Sequence, residues 1–170
     1  MSRVFIAAGS NLGDRLQHLE TAFQYLCSEP SLQVVQISPI YETLPVGGPQ
    51  QGDFLNTLWV FETALEPEAV LKLLQTAEQF QGRIRGVKNG PREIDLDLAA
   101  YDETCFEQNG LSIPHERMHE RWFVLKPLCD VAPQWKHPLL HKTAAELLAE
   151  LKVPVAGFLF KARQPEKKSV

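Results

Sequence analysis

Two acids one residue apart, Asp95 and Asp97, interrupt an apolar run, Ile94-Asp95-Leu96-Asp97-Leu98-Ala99-Ala100-Tyr101. On a β-strand, side chains two apart point to the same face, so both carboxylates share one side, opposite Ile94, Leu96 and Leu98. Carboxylates held that close repel each other, and burying them unpaired is costly. A hard, oxygen-preferring cation, magnesium above all, would relieve the repulsion and give a phosphate an anchor. Spacing alone leaves a second account open, a solvated strand face paired with arginines, because D-x-D is a common pattern. Arg83, Arg85, Lys88 and Arg92 all precede the acids, in a chain whose net charge is −4. Such a loop could neutralise the acids or fork onto phosphate oxygens, and the two uses are compatible.

Other candidates are weaker by themselves. His115 lies between Pro114 and Arg117, where it could donate a hydrogen bond to a phosphate; a binding role fits it better than that of a base. His18, His119, His137 and His141 carry no functional signal. Phe54 and Asn56 fall on one face of a strand, and could be either a core ring beside an edge amide or a stacking surface with a group that reads a flat heterocycle. Gly9-Ser10-Asn11-Leu12-Gly13-Asp14 lacks the lysine of a Walker loop and the full Rossmann glycine pattern, so it reads as a strand-to-helix turn.

These residues need a scaffold, and periodicity supplies one. Val4 to Ala8 forms a strand, and Leu12, Leu16, Leu19, Phe23 and Leu26 follow at helical spacing, with Asp14 in the first turn. Leu32 to Ile40 is β-rich, and the segment from Thr43 to Gly52 is a long Gly/Pro loop of the kind that often carries function. Phe54 to Ala64 alternates as a strand; Pro67 starts a helix with Val70, Leu71, Leu74, Ala77 and Phe80 as its stripe, and Gly82 ends it. A basic loop, Arg83 to Glu93, precedes the acidic strand. Leu111 to Pro114 reads as a short strand, Arg117 to Val131 as a helix broken by Pro127, and Thr143 to Leu151 as a small amphipathic helix. Strand–helix–strand–strand–helix–strand is the split βαβ, ferredoxin-like plan, an α+β fold.

With 170 residues, 44% of them hydrophobic and 22% charged, the chain suits one globular domain. We expect that domain over residues 1–163, with a frayed polar tail at 164–170. The acidic balance disfavours nucleic-acid binding, and no apolar run is long enough for a membrane span or a signal peptide, so a cytoplasmic protein is expected. Cys27, Cys105 and Cys129 are odd in number and widely spaced, and we assign them neither a disulfide nor a zinc site.

The segments Ala8-Gly9-Ser10-Asn11-Leu12-Gly13, Tyr41-Glu42-Thr43, Asp53-Phe54-Leu55-Asn56, Gly90-Pro91-Arg92-Glu93-Ile94-Asp95-Leu96-Asp97-Leu98 and Ile113-Pro114-His115 together resemble the 6-hydroxymethyl-7,8-dihydropterin pyrophosphokinase family. The resemblance implies the ferredoxin-like βαββαβ core elaborated into a three-layer α/β/α sandwich. It implies transfer of the β,γ-diphosphate of ATP to the pterin hydroxymethyl oxygen, with release of AMP, in folate biosynthesis. By position, Asp95 and Asp97 would bind two magnesium ions, and Arg83 and Arg92 would stabilise the transferring group. Gln75, Glu78, Arg85, Arg92, Leu98, Ser112, His115 and Arg121 would bind ATP. Phe54 and Phe123 would sandwich the pterin, Asn56 would bond its edge, and Thr43, Leu44, Pro45 and Val46 would supply loop contacts. The expected partners are these small molecules alone, acting on a monomer. Asn89, Gly110 and Glu116 depart from the family pattern, where Trp, Arg and an aromatic residue are frequent, and the loop from Arg83 to Arg92 is one residue shorter. Three rivals remain in view: a pterin-binding module without transfer, another D-x-D enzyme such as a nucleotidyl transferase or cyclase, and an RNA-binding domain of the same topology.

Overall fold

The computed structural model describes residues 1–82 and 90–152, and the backbone of 157–159. Strand β1 (Ser2–Ser10) leads to helix α1 (Arg15–Ser28), then β2 (Leu32–Ile37), β3 (Tyr41–Thr43) and β4 (Phe54–Thr63). Helix α2 (Pro67–Phe80), β5 (Asp95–Tyr101), β6 (Phe106–Gln108) and β7 (Leu111–Ile113) follow. A 3-10 turn (Met118–Glu120), α3 (Trp122–Val131), α4 (Ala144–Glu150) and β8 (Gly157–Leu159) complete the order.

The main sheet runs β5-β1-β4-β3-β8, with β2 also paired to β4, and each pairing is antiparallel. β3 and β2 share one edge of β4: β3 takes Phe54 to Asn56 and β2 takes Trp59 to Thr63. Taken without the added strands, the order β5-β1-β4-β2 is the split βαβ plan that the sequence predicts. Alternation along β4 sends Leu55, Trp59 and Phe61 into a core with α1 and α2, and Leu58 and Val60 into a second core with α3 and α4. Helices therefore cover both faces, and the molecule has three layers. Among the described residues, no helix is long and apolar enough to cross a membrane.

Four local departures have physical causes. α1 begins at Arg15, not Leu12: Gly13 turns the chain at φ +66°, and the Asp14 carboxylate caps the helix by accepting from the Gln17 N–H at 3.1 Å. β2 exposes Val34, Val35 and Ile37, because β4 is its only described strand partner and a bulge at Val35 disrupts the pairing. Pro127 does not break α3. It removes one amide donor while packing in the core, and the break falls earlier, at Arg121, whose extended backbone ends the 3-10 turn and starts α3. The short strand expected at Leu111 to Pro114 is β7, and the addition is β6, which makes it one arm of a hairpin. Its turn residues Asn109 and Gly110 both have positive φ, and Asn-Gly is the usual signal for such a two-residue turn.

Candidate active site

β5 is the sheet's outer strand, and the placement of Leu96 and Leu98 in the α1/α2 core puts Asp95 and Asp97 on the opposite, α3-facing side. The edge amide of Leu96, between the two acids, donates to the Glu78 carboxylate of α2 at 2.7 Å. Arg92 Nη1 donates to Asp95 Oδ2 at 2.8 Å. Its Nε is buried and has no partner among the described residues, a donor waiting for an acceptor.

A bulge completes this half of the site. Phe5 pairs with Ala100 and Ile6 with Leu98, so Ala99 is an extra residue, and its carbonyl accepts from the His115 N–H at 2.9 Å. The bulge thereby brings His115 up to β5 beside the acids. His115 Nδ1 accepts from the Arg117 N–H at 3.2 Å, which leaves Nε2 to carry the proton of the neutral ring. Burial, and then the charge of Asp95, push the Asp97 carboxyl above the ordinary carboxylate range; His115, Arg121 and Arg92 pull it partly back. An anion held against its own preference in this way suits a cation. No third His, Cys, Asp or Glu joins the pair among the described residues, so a metal here would take its remaining ligands from phosphate oxygens and water.

The other half lies on the same face, across β1 and β4. Asn56 is buried, and its Nδ2 donates to Thr43 Oγ1 at 2.6 Å, which fixes the amide's orientation and turns Oδ1 away from Thr43. Gly9 lies beneath: a Cβ there would come 2.8 Å from Asn56 Oδ1 and 3.6 Å from Phe54 Cδ1. Two rings each carry a guanidinium, Arg92 at 5.8 Å from the Phe54 centroid and Arg121 at 5.7 Å from that of Phe123. Leu44 and Val46, on the loop after β3, are 60% and 65% exposed. They are apolar surface available to cover a ligand.

Asn11 joins the two halves. Its Nδ2 donates to Gln51 Oε1 (2.8 Å) and the Gly52 carbonyl (3.1 Å), and its Oδ1 accepts from the Arg92 N–H (2.9 Å). Its own N–H donates to the Arg92 carbonyl at 3.2 Å. Arg15 holds the loop's base through the Asp53 carbonyl (2.9 Å) and Glu42 (3.2 Å). Sequence reading assigns no role to Asn11 or Arg15, and gives Gly9 and Asn11 only as parts of a turn motif, because their partners lie far along the chain.

Arg92, Asp95, Asp97, His115 and Arg121 converge, as do Thr43, Phe54 and Asn56. Gln75 lies one turn before Glu78 on α2, and Glu78 spends an oxygen on the β5 backbone. The Leu98 side chain is in the core, which leaves only its main chain for a ligand. Ser112 is on β7, next to Ile113 and the cis Ile113–Pro114 bond that leads into His115. Arg83, Arg85 and Asn89 lie outside the described residues, as does the tail at 164–170.

Residues 5–133 match the family model of 7,8-dihydro-6-hydroxymethylpterin-pyrophosphokinase (HPPK). The chain is 42% identical over 130 residues to the 2-amino-4-hydroxy-6-hydroxymethyldihydropteridine pyrophosphokinase of Bacillus subtilis, covering 76% of this chain and 78% of that protein. It is 38% identical to the folic acid synthesis protein fol1 of Schizosaccharomyces pombe, over 86% of this chain but only 20% of that longer protein. Among solved structures, wild-type Plasmodium falciparum HPPK-DHPS with pterin and p-hydroxybenzoate aligns with TM-score 0.69 and 16% identity, covering 87% of this chain and 42% of that one. The structural likeness carries the fold. The match over most of the chain carries more: this protein belongs to the 7,8-dihydro-6-hydroxymethylpterin-pyrophosphokinase family.

Proposed function

We propose that this chain transfers the pyrophosphoryl group of ATP to the hydroxymethyl oxygen of 6-hydroxymethyl-7,8-dihydropterin, in a magnesium-dependent step of folate biosynthesis. The observation that carries the reading is the convergence of Arg92, Asp95 and Asp97 beside Phe54 and Asn56 on one face of the sheet. The pterin hydroxyl attacks the β-phosphorus and gives up its proton to solvent, the bond from that phosphorus to the α,β-bridging oxygen breaks, and AMP leaves. No protein nucleophile is needed, since such transfers depend on alignment and charge stabilisation.

Each residue then has a task. Asp95 and Asp97 would hold magnesium, two ions by resemblance to the family, and the metal would neutralise phosphate charge and orient the chain for in-line attack. Arg92 offers its unpartnered Nε to a phosphate oxygen while Nη1 stays on Asp95. His115 presents Nε2–H and Arg121 its guanidinium to the triphosphate, and Arg83 and Arg85 add charge from the loop before Arg92. Gln75, Glu78, Ser112 and the main chain of Leu98 lie toward the nucleotide. Phe54 and Phe123 stack on the pterin, Asn56 bonds its edge, and Thr43, Leu44, Pro45 and Val46 close over it. The acidic balance argues against a nucleic-acid substrate, and the reading extends to a cytoplasmic monomer.

The test is product analysis with ATP, the pterin and magnesium. AMP and pterin diphosphate are expected in equal amounts. Pyrophosphate in place of AMP would point to a nucleotidyl transferase or cyclase, and tight pterin binding without AMP to a binding module.

A further inference from the structure

Tyr41 pairs with Asn56 in the β3–β4 ladder, two residues before Thr43. Its ring is buried, and its hydroxyl leaves the sheet to meet α3, donating to Asp130 Oδ2 at 2.6 Å. The other carboxylate oxygen of Asp130 accepts from Lys126, one turn back on the same helix. Lys126 Nζ lies 5.2 Å from the centroid of the Tyr41 ring. Trp122, a further turn back, meets that ring edge-on, with centroids 5.4 Å apart and an interplanar angle of 86°. Residues 122, 126 and 130 are four apart and form one stripe of α3. One strand residue is thus gripped along nearly the whole length of a helix.

The helix so gripped carries Phe123, next to Trp122, and directly follows Arg121. The strand so gripped carries Thr43, which orients Asn56. Apolar packing between α3 and β4 is non-directional and does not by itself fix how far the helix slides along the sheet. A hydrogen bond to a carboxylate that is also ion-paired has a defined length and direction. Burial, and then the bond to Asp130, push the Tyr41 phenol above its ordinary range, which keeps it a donor.

We propose that Tyr41, Asp130 and Lys126 are positioning residues that set the placement of α3 against β3 and β4, and through it the fit of the heterocycle between Phe54 and Phe123. This rests on the pterin reading above. None of the three touches the ligand; they act through Thr43, Asn56 and Phe123.

The experiment compares wild type, Tyr41→Phe, Asp130→Asn and the double variant in steady-state turnover. It adds equilibrium binding of the pterin with a non-hydrolysable ATP analogue present. Tyr41→Phe keeps the ring and its contacts to Trp122. Pterin KM and Kd should rise about fivefold to tenfold, the effect of one charge-assisted hydrogen bond, with kcat and the analogue's Kd held within about twofold. The double variant should be no worse than the more affected single one, because both remove the same contact. An unchanged pterin KM in Tyr41→Phe overturns the inference. So does equal weakening of both substrates with a lowered unfolding midpoint, the mark of a scaffold residue. Should Asp130→Asn fail to fold, Lys126→Met closes the same cycle with Tyr41→Phe. Wild type that binds no pterin sinks the functional reading and this inference together; wild type that binds it, with Tyr41→Phe unaffected, sinks only the inference.

Discussion

In the half of the site built from β3, β4 and α3, the polar side chains are tied to one another: Asn56 to Thr43, Tyr41 to Asp130, Asp130 to Lys126. In the half built from β5 and the segment before it, charges are held in tension. Asp97 is pushed toward its neutral form by burial and by Asp95, and Arg92 keeps a buried Nε without an acceptor among the described residues. The contrast follows from the ligands each half would meet. A flat, neutral ring is recognised by shape and by a few fixed hydrogen bonds, so pre-organisation helps it bind. A magnesium-bound triphosphate brings its own charges, so its site must carry groups that are unsatisfied without it.

The largest effect is expected at Asp97. Replacing Asp97 with Ala should lower turnover by about a thousandfold at saturating magnesium, the scale expected when charge stabilisation of a transferring group is lost. Pterin binding should stay within about threefold, because the hydrogen bonds that order that half, Asn56 to Thr43 and Tyr41 to Asp130, do not involve Asp97. A matching loss of pterin affinity would show that the two halves are not separable.

A smaller effect of the opposite kind is expected at Gly9. Its added Cβ would meet Asn56 Oδ1 at 2.8 Å, closer than real contacts allow, so Asn56 must shift. Gly9→Ala should raise the pterin Kd by about tenfold, the effect of one misplaced hydrogen-bonding group, and leave the ATP analogue's Kd nearly unchanged. Titration of each ligand separately decides it; an unaltered pterin Kd would mean that Oδ1 does not read the ring.

The smallest effect concerns stability. Burial and the charge of Asp95 hold the Asp97 carboxyl above its ordinary range, so the fold favours the protonated form. The group therefore does not penalise folding below its unfolded pKa of about 4, and the penalty grows as pH rises through the folded value. Asp97→Asn removes that charge. Without magnesium, its unfolding midpoint should exceed that of wild type by roughly 3 °C at neutral pH, with the gap closing as pH falls toward about 4. Thermal scans at both pH values, with chelator present, provide the check. Equal midpoints at neutral pH would mean that Asp97 is not under tension.

Much of the framework was legible in the chain itself. Alternation along Phe54 to Thr63 divides that strand between two cores, as observed, and period-two spacing puts Asp95 and Asp97 on one face. Both are short-range properties, set by backbone geometry within a single element. The bulge at Ala99 was not legible, since two consecutive small apolar residues give no sign of which one is extra. Nor was the Val34–Val35–Ile37 edge, whose β-rich composition suggests burial that its position in the sheet denies. The intact helix through Pro127 depends on the neighbours that bury that residue.

The order of the core βαββαβ elements, the two apolar faces and the acid pair were readable from local pattern alone. The Gly-Pro-Arg-Glu-Ile-Asp-Leu-Asp block placed the chain by resemblance. Which distant groups meet came from the packing: Asn11 with Gly52 and Arg92, Gly9 under Asn56, Tyr41 with Asp130 across 89 positions. The physical reason is range. Periodicity reports what a residue does within its own helix or strand, while a hydrogen bond between elements depends on how those elements pack, and packing is a property of the whole core.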